Sequence, residues 1–297
     1  MGLNIVILTE DRYEAPSKKN SYINNILKED FLLFYALKKL GFNVMRSSWS
    51  SKKFNWETVD FAIFRTTWDY FERLDDFLNW INTYSRKIKF INSIDLIKWN
   101  LDKSYLQDFP KEDVVPSLFL TKNSHKSLKE ISIQKGWNEL IIKPSISAAA
   151  WNTHRVSAEN INEMELVFSN LKSSHKMIVQ EFQKSVLTSG EISIMVFGGK
   201  YSHAVLKKSK KNDFRVQDDF GGTVCKYEPK KTEIDFAEKI VSLCPERPLY
   251  ARVDILLSKS GGFLLSELEI IEPELWFRFC EKSADFLAKK IYESIIF

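Results

Sequence analysis

The chain has 297 residues, enough to bury more than one hydrophobic core, so more than one compact unit is expected. Its 43 basic and 39 acidic residues leave a net charge of +4, too balanced to mark a nucleic-acid binder. No apolar run approaches the ~18 residues a membrane span needs. Cys225, Cys244 and Cys280 are odd in number, far apart and without CxxC spacing, which argues against a disulfide framework and a zinc site. The apolar stretch at 4–8 is too short for a signal peptide and lacks a basic flank and a cleavage site, so a reducing, cytoplasmic setting is expected.

In chain order, residues 4–9 read as a buried first strand. Residues 30–40 place apolar side chains at helical spacing and stop at Gly41. Residues 42–45 and 60–65 read as strands, 71–84 as a helix and 89–91 as a strand. Strands alternating with helices predict a parallel, doubly wound sheet, whose ligands lie at the carboxyl ends of its strands. Arg65-Thr-Thr-Trp68-Asp69-Tyr70 falls at one such end. It suits a substrate loop, with Arg65 fit to bind a carboxylate. It equally suits a helix start capped by Asp69, with Trp68 and Tyr70 packed beneath.

Residues 93–108 read as a helical connector carrying Lys103, and Pro110 and Pro116 bracket a crossing into a second region. There the pattern turns to short β runs at 117–120, 139–143, 176–182, 191–197, 200–207, 249–257 and 262–270. Helical stretches fall at 158–171, 232–244 and 280–295. Hairpins with a few packed helices predict an α+β region. The basic run Lys207-Lys-Ser-Lys-Lys-Asn-Asp-Phe-Arg215 is either a solvated loop or a polyanion site.

The chemical signal is concentrated near the C-terminus. Two β runs flank Gly261-Gly262 and read as an antiparallel hairpin. With a loop at 259–262, Asp254 lies opposite Glu267 and Arg252 opposite Glu269. The period of two then puts Val253, Ile255, Leu257, Leu264, Leu268 and Ile270 on one face and Arg252, Asp254, Glu267 and Glu269 on the other. Like charges opposite each other destabilise a sheet. Three acids on one face therefore point to a neutralising cation, and oxygen donors fit Mg²⁺. The competing reading is a solvated face with Arg252 paired to Glu269. Upstream, the strand ending at Lys143-Pro144 leads into Ser145-Ile-Ser147-Ala-Ala-Ala150. A lysine at a buried strand end calls for an anion, and the small residues let backbone N–H groups approach a phosphate.

The ordered set Lys103, Ile142-Lys143-Pro144, Val179-Gln180-Glu181-Phe182, Gly190-Glu191, Asp213-Phe214-Arg215, Arg252-Val253-Asp254 and Glu267-Leu268-Glu269 resembles the ATP-grasp ligases over essentially the whole chain. Within them it resembles the glutathione synthetase and RimK-like branch. More narrowly, Arg65–Tyr70, Trp99–Lys103 and Asp213–Gln217 are similar to the cyclo-ligase of the D-cycloserine pathway and its relatives. The resemblance implies a mixed α/β and α+β ATP-grasp fold. A Rossmann-like substrate domain at 1–92 would precede two α+β subdomains that clamp ATP, at 93–182 (with the linker helix) and 183–297.

It further implies that Lys103 and Lys143 contact the α- and β-phosphates, that Gln180, Glu181 and Phe182 hold adenine, and that Glu191 binds the ribose. Asp254, Glu267 and Glu269 would hold Mg²⁺, for which Mn²⁺ could substitute, although Glu269 stands where the family often has Asn. Lys207, Arg215 and Arg252 would stabilise the transferring phosphate, while Lys208, Lys210 and Lys211 stay solvated. Arg65, Trp68, Asp69 and Tyr70 would face the substrate, with Trp151, His154 and Arg155 as further candidates. The family's loop after the lysine is glycine-rich, and here it carries serine and alanine instead. Residues 145–150 and 214–223 are expected to close as lids. The implied activity is ATP- and Mg²⁺-dependent: a carboxyl group of a small amino-acid-like or peptide substrate becomes an acyl phosphate and then an amide, by joining or cyclisation. The alternative is an ATP-binding relative without turnover, acting as a regulator or scaffold. A homodimer is a further expectation, with neither nucleic acid nor membrane as partner.

Overall fold

The structure, a computed structural model, describes residues 2–18, 20–210, 213–216 and 221–296. The first unit runs β1 (Asn4–Thr9), α1 (Asp11–Glu14), α2 (Ser21–Lys39), β2 (Asn43–Ser48), β3 (Phe61–Thr66), α3 (Leu74–Tyr84) and β4 (Lys89–Ile91). Its strands form a parallel sheet in the order β2-β1-β3-β4, the doubly wound arrangement expected from the alternating pattern. Helix α2 begins nine residues before the stretch read as helical. Asn20 caps it by accepting from the Ile23 N–H at 2.8 Å, and Ile26 and Leu27 already bury the apolar face in this earlier part.

Helix α4 (Ile94–Leu101) and a 3₁₀ turn at Lys103–Asp108 lead to the central unit. This comprises β5 (Ser117–Leu120), α5 (Leu128–Lys135), β6 (Leu140–Pro144), β7 (His154–Val156), α6 (Ile161–Ser174) and β8 (Met177–Glu181). The antiparallel sheet runs β5-β8-β6-β7 and packs on α5 and α6 through its own core, including Leu128, Leu140, Ile142, Phe168 and Val179.

The third unit holds α7 (Ser185–Thr188), β9 (Glu191–Phe197), β10 (Lys200–Lys208), β11 (Thr223–Tyr227), α8 (Lys231–Ser242), β12 (Tyr250–Leu257), β13 (Phe263–Glu269) and α9 (Lys282–Ile296). Its antiparallel sheet is ordered β11-β10-β9-β12-β13. One face carries Ile194, Val196, Ala251, Val253 and Ile255 onto α8 through Phe236, Ala237 and Ile240. The other face is split. Met195, Phe197, Val205 and Tyr250 join a core with Leu33 and Leu37 of α2 and Leu287 and Ile291 of α9. The rest of that face is polar and forms the site described below.

Two residues join the first sheet to the third. The Asn92 side chain donates to the Tyr250 and Ile270 carbonyls (2.9 and 2.8 Å) and accepts from the Leu249 N–H (2.6 Å). The Tyr250 hydroxyl donates to the Ile271 carbonyl at 2.8 Å, beside the Phe64 and Ile91 carbonyls. The carboxyl ends of β3 and β4 are thereby fixed against the strands of the third sheet. Among the described residues no helix is long and apolar enough to cross a membrane.

Candidate active site

A cavity opens where the polar end of the third sheet faces the central unit and the carboxyl ends of the first sheet. Strand register assembles its floor. Arg252 pairs with Glu269, Asp254 with both Glu267 and Ser193, and Lys207 with Glu191, as the hairpin parity predicts for the first two. Gly190 makes the Glu191 contact possible. Its φ is +82°, and a Cβ there would meet the Lys207 carbonyl at 2.4 Å.

The hairpin also departs from strict alternation. The register shifts between Asp254 and Ile255, with Ser266 as the extra residue, so Leu264 pairs with Leu256 and Leu265 with Ile255. Leu265 joins the core against α8. Leu264, expected on that core face, turns instead to the cavity side, where it packs with Val115, Phe182, Val186, Val216 and Leu256. The bulge thus gives one end of the cavity an apolar lining.

Seven carboxylates and five cationic side chains line the cavity. Lys207, 3% exposed, bridges Glu191 (2.6 Å) and Asp254 (3.1 Å). Arg252 bonds Asp254 at 2.8 Å and also Glu269. Ser193 donates to Asp254 at 2.5 Å. Lys103 meets Glu267 at 3.1 Å and also donates to the Ser147 carbonyl, tying the 145–150 loop to the floor. Arg215 pairs with Asp213 at 2.8 Å, and Glu181 with Lys259 at 2.6 Å.

These contacts set the ionisation of the acids. Burial opposes the charge on Asp254, but Arg252 and Lys207 outweigh it and hold the carboxyl below its ordinary range. Burial also opposes the charge on Glu267, and Lys103 and Lys143 reverse the effect. Glu269 goes the other way. Burial, then repulsion from Glu267 and Asp254, push it up to about 7 despite Arg252. Glu272 is pushed up to about 8 by burial and by Glu269. Burial lowers the Lys143 ammonium, and no carboxylate among the described residues lies within ion-pair distance of it.

Lys103, Lys143, Gln180, Glu181, Phe182, Glu191, Lys207, Arg215, Arg252, Asp254, Glu267 and Glu269 all line the cavity, as do Trp68 and Tyr70. Arg65 and Asp69 do not. Arg65 is 1% exposed, between the Tyr250 and Phe277 rings, and its Nε and Nη1 have no hydrogen-bond partner. Asp69 accepts from the Trp49 indole at 2.7 Å and pairs with Arg73, a scaffold role close to the capping alternative. Trp151 packs on His175 and Phe71, and Arg155 pairs with Glu139 over the Phe182 ring; neither these two nor His154 line the cavity. Lys208 and Lys210 are exposed. Lys211, and Gln217 with the rest of the 217–220 part of the expected lid, lie outside the described residues. Lining residues not anticipated are Asn100, Tyr105, Gln183, Glu272, Glu274 and Trp276. Asn100 falls within the Trp99–Lys103 motif, which assigns it no role; the others stand outside the motifs, most on turns where strand parity does not apply.

Residues 102–273, more than half of the chain, match the family model described as the ATP-grasp domain of prokaryotic glutathione synthetase. The chain belongs to the ATP-grasp ligases. Residues 5–92 of this ATP-grasp ligase match the N-terminal domain of D-cycloserine synthetase DcsG. The cycloserine biosynthesis protein DcsG of Streptomyces lavendulae is 24% identical over 281 residues, 89% of this ligase and 92% of that protein. The crystal structure of D-cycloserine synthetase DcsG matches with a TM-score of 0.85 at 22% identity, covering 98% of this chain and 99% of that one. D-alanine–D-alanine ligase from Bacillus anthracis, complexed with ATP, matches at 0.66 and 15% identity over 98% and 97% of the two chains. Family membership makes this ATP-grasp ligase a carboxylate–amine ligase that forms amide bonds at the expense of ATP.

Proposed function

We propose that this ligase uses ATP with Mg²⁺ to convert a carboxyl group of a small amino-acid-like or peptide substrate into an acyl phosphate. An amine then displaces phosphate, by joining two substrates or by closing one into a ring. The observation that carries this reading is the meeting of three sets of groups in one cavity: phosphate-type cations, paired acids, and the aromatic end of β3. Division into 1–92, 93–182 and 183–297 belongs to the same reading, with substrate on the first part and ATP between the other two.

The donor set fits a hard divalent cation, because it is all oxygen and the cavity has more acids than bases. The raised carboxyl of Glu269 marks a place short of positive charge. Among the described residues no three acids stand close enough together to hold a metal ion, since lysine and arginine engage each of them. Asp254, Glu267 and Glu269 would hold Mg²⁺ once Lys103, Lys207 and Arg252 turn to phosphate. Bound Mg²⁺ supplies charge neutralisation between phosphate oxygens.

The chain's own residues do the rest. Lys143 and Lys103 bind the α- and β-phosphates, Lys143 gaining the anion that its burial demands. Glu191 accepts from the ribose hydroxyls. The Glu181 carbonyl, which accepts from Gln183 Nε2 at 3.2 Å, takes the adenine amine in its stead, with Gln180, Phe182 and the Leu264 cluster around the base. Lys207, Arg252 and Arg215 oppose the charge that builds up as carboxylate meets γ-phosphate. Trp68 and Tyr70 shape the substrate end, and the loop at 145–150 excludes water.

The test is ADP release by the purified chain with MgATP and a panel of amino acids and short peptides. ADP formation should depend on one of them, and the product mass separates joining from cyclisation. Glu267→Gln should lower turnover by about 10²–10³-fold while an ATP analogue still binds. Binding of ATP without substrate-dependent ADP release across the panel would sink the reading.

A further inference from the structure

Six of the seven carboxylates that line the cavity stand beside a lysine or arginine, and Glu272 is the exception. Among the described residues no cationic side chain lies within ion-pair distance of it. It is 8% exposed. The backbone that carries it is held on both sides. The Trp68 indole donates to the Glu272 carbonyl at 3.0 Å, and the Tyr250 hydroxyl donates to the Ile271 carbonyl at 2.8 Å. These bonds fix the backbone from which the carboxyl projects. Trp276 also lines the cavity, and its indole N–H is buried without a hydrogen-bond partner. The carboxyl meets only its own backbone N–H, and the indole meets no acceptor, so the fold leaves the acid without a cation and the donor without a partner.

A cationic group entering the cavity would satisfy the acid. Trp68, held on the Glu272 carbonyl, and Tyr70 and Trp276 line the same cavity, and aromatic walls near a carboxylate favour an ammonium over a neutral group. We propose that Glu272 anchors a protonated amine of the carboxyl-bearing substrate, so that the ligase selects amino acids over simple carboxylic acids. This rests on the ligase reading above and assigns its substrate end. Glu272 selects by charge: it lies beside Trp68, while Lys207, Arg252 and Arg215 serve the carboxyl to be activated.

The experiment uses the full chain and two independent readouts. ADP release asks whether the chain is a ligase. Calorimetric binding, in the presence of a non-hydrolysable ATP analogue and Mg²⁺, asks only whether the amine is recognised. The probes are matched pairs: each enantiomer of alanine against propionate, and each enantiomer of 2,3-diaminopropionate against 3-aminopropionate. At least one α-amino acid should bind more tightly than its partner lacking the α-amine. Glu272→Gln should weaken that amino acid by about 10- to 100-fold, the range of a charge-assisted hydrogen bond, and leave the partner unchanged. Glu272→Asp should keep part of the preference. The KM for ATP and the Mg²⁺ dependence should not move. Because an unpaired buried acid is lost, Glu272→Gln without ligand should melt no lower than the wild type.

Equal weakening of both members of a pair, no weakening, or no preference in the wild type overturns the proposal. A shifted Mg²⁺ dependence would make Glu272 a metal ligand, and a lower melting temperature a structural residue; either overturns it as well. If amino acids bind with the expected preference but no ADP forms, the ligase reading fails while this one stands.

Discussion

The His203 imidazole is buried away from the cavity, with Nε2 2.8 Å from the Leu275 carbonyl and Nδ1 3.0 Å from the Ser202 hydroxyl. Burial pushes its pKa down to about 4. In the unfolded chain it titrates near 6.5. Between these values the unfolded state binds a proton that the folded state refuses. Its contribution is therefore complete above about pH 6.5 and is lost as pH falls towards 4, at up to about 1.4 kcal/mol per pH unit. Glu269 and Glu272 act in the opposite sense, because their raised carboxyls favour folding as pH falls from about 8 towards the ordinary range. The comparison that isolates His203 is thus wild type against His203→Gln. Urea titrations from pH 7 to 5 should show the wild type losing stability relative to the variant. Parallel pH profiles would refute the assignment. At this scale most charged residues of the cavity are legible in the sequence, because the ordered resemblance names Lys103, Lys143 and Lys207, and strand parity names Arg252, Asp254 and Glu267. Arg65 and Asp69 were not, since standing at the end of a strand does not fix which way a side chain turns. Glu272 carries no signal in the sequence because it lies three residues past Glu269, the end of β13, where alternation stops.

Among the elements, the hairpin of β12 and β13 shows where pattern reading ends. Its polar half follows from alternation, but the bulge at Ser266 exchanges the faces of Leu264 and Leu265, and two leucines in sequence carry no mark of the exchange. The two substitutions should therefore separate. Leu264→Ala loosens the cluster that backs the apolar cavity lining and should raise the KM for ATP about tenfold. Leu265→Ala opens the core against α8 and should cost about 2–5 kcal/mol of stability. Reversed effects in ATP kinetics and denaturant titration would mean strict alternation. Helix α5 was missed although Ser127 and Glu130 form a capping box and Gly136 ends it in the left-handed region, because its apolar positions do not form a stripe. The loop after Lys143 shows the reverse case. Ala149 and Ala150 take φ of 49° and 54°, so the loop keeps a backbone suited to glycine without having one.

Across the whole molecule the cores are unevenly shared. The first and third sheets have a joint core through α2 and α9, reinforced by Asn92 and Tyr250, whereas the central unit packs on its own residues. That division follows from chain topology: the last helix returns to pack on the second, a contact of long sequence separation that local pattern cannot announce. The central unit meets the rest of the chain around the cavity, through Glu181 on Lys259 (2.6 Å) and the Val115 N–H on the Leu265 carbonyl (3.1 Å). Leu287 is fully buried in the shared core, so Leu287→Ala should cost about 2–5 kcal/mol. Hydrogen exchange should then quicken together in α2, α9, β1 and β9, with α5 and α6 little changed. A non-hydrolysable ATP analogue with Mg²⁺ should act on the other boundary. It should slow exchange at 145–151 and 182–190, and at 100 times its Kd it should return about 2.7 kcal/mol to the variant. If α5 and α6 open in step with α2 when Leu287 is truncated, the central unit is not an independent clamp, and closure over ATP must come from its loops alone.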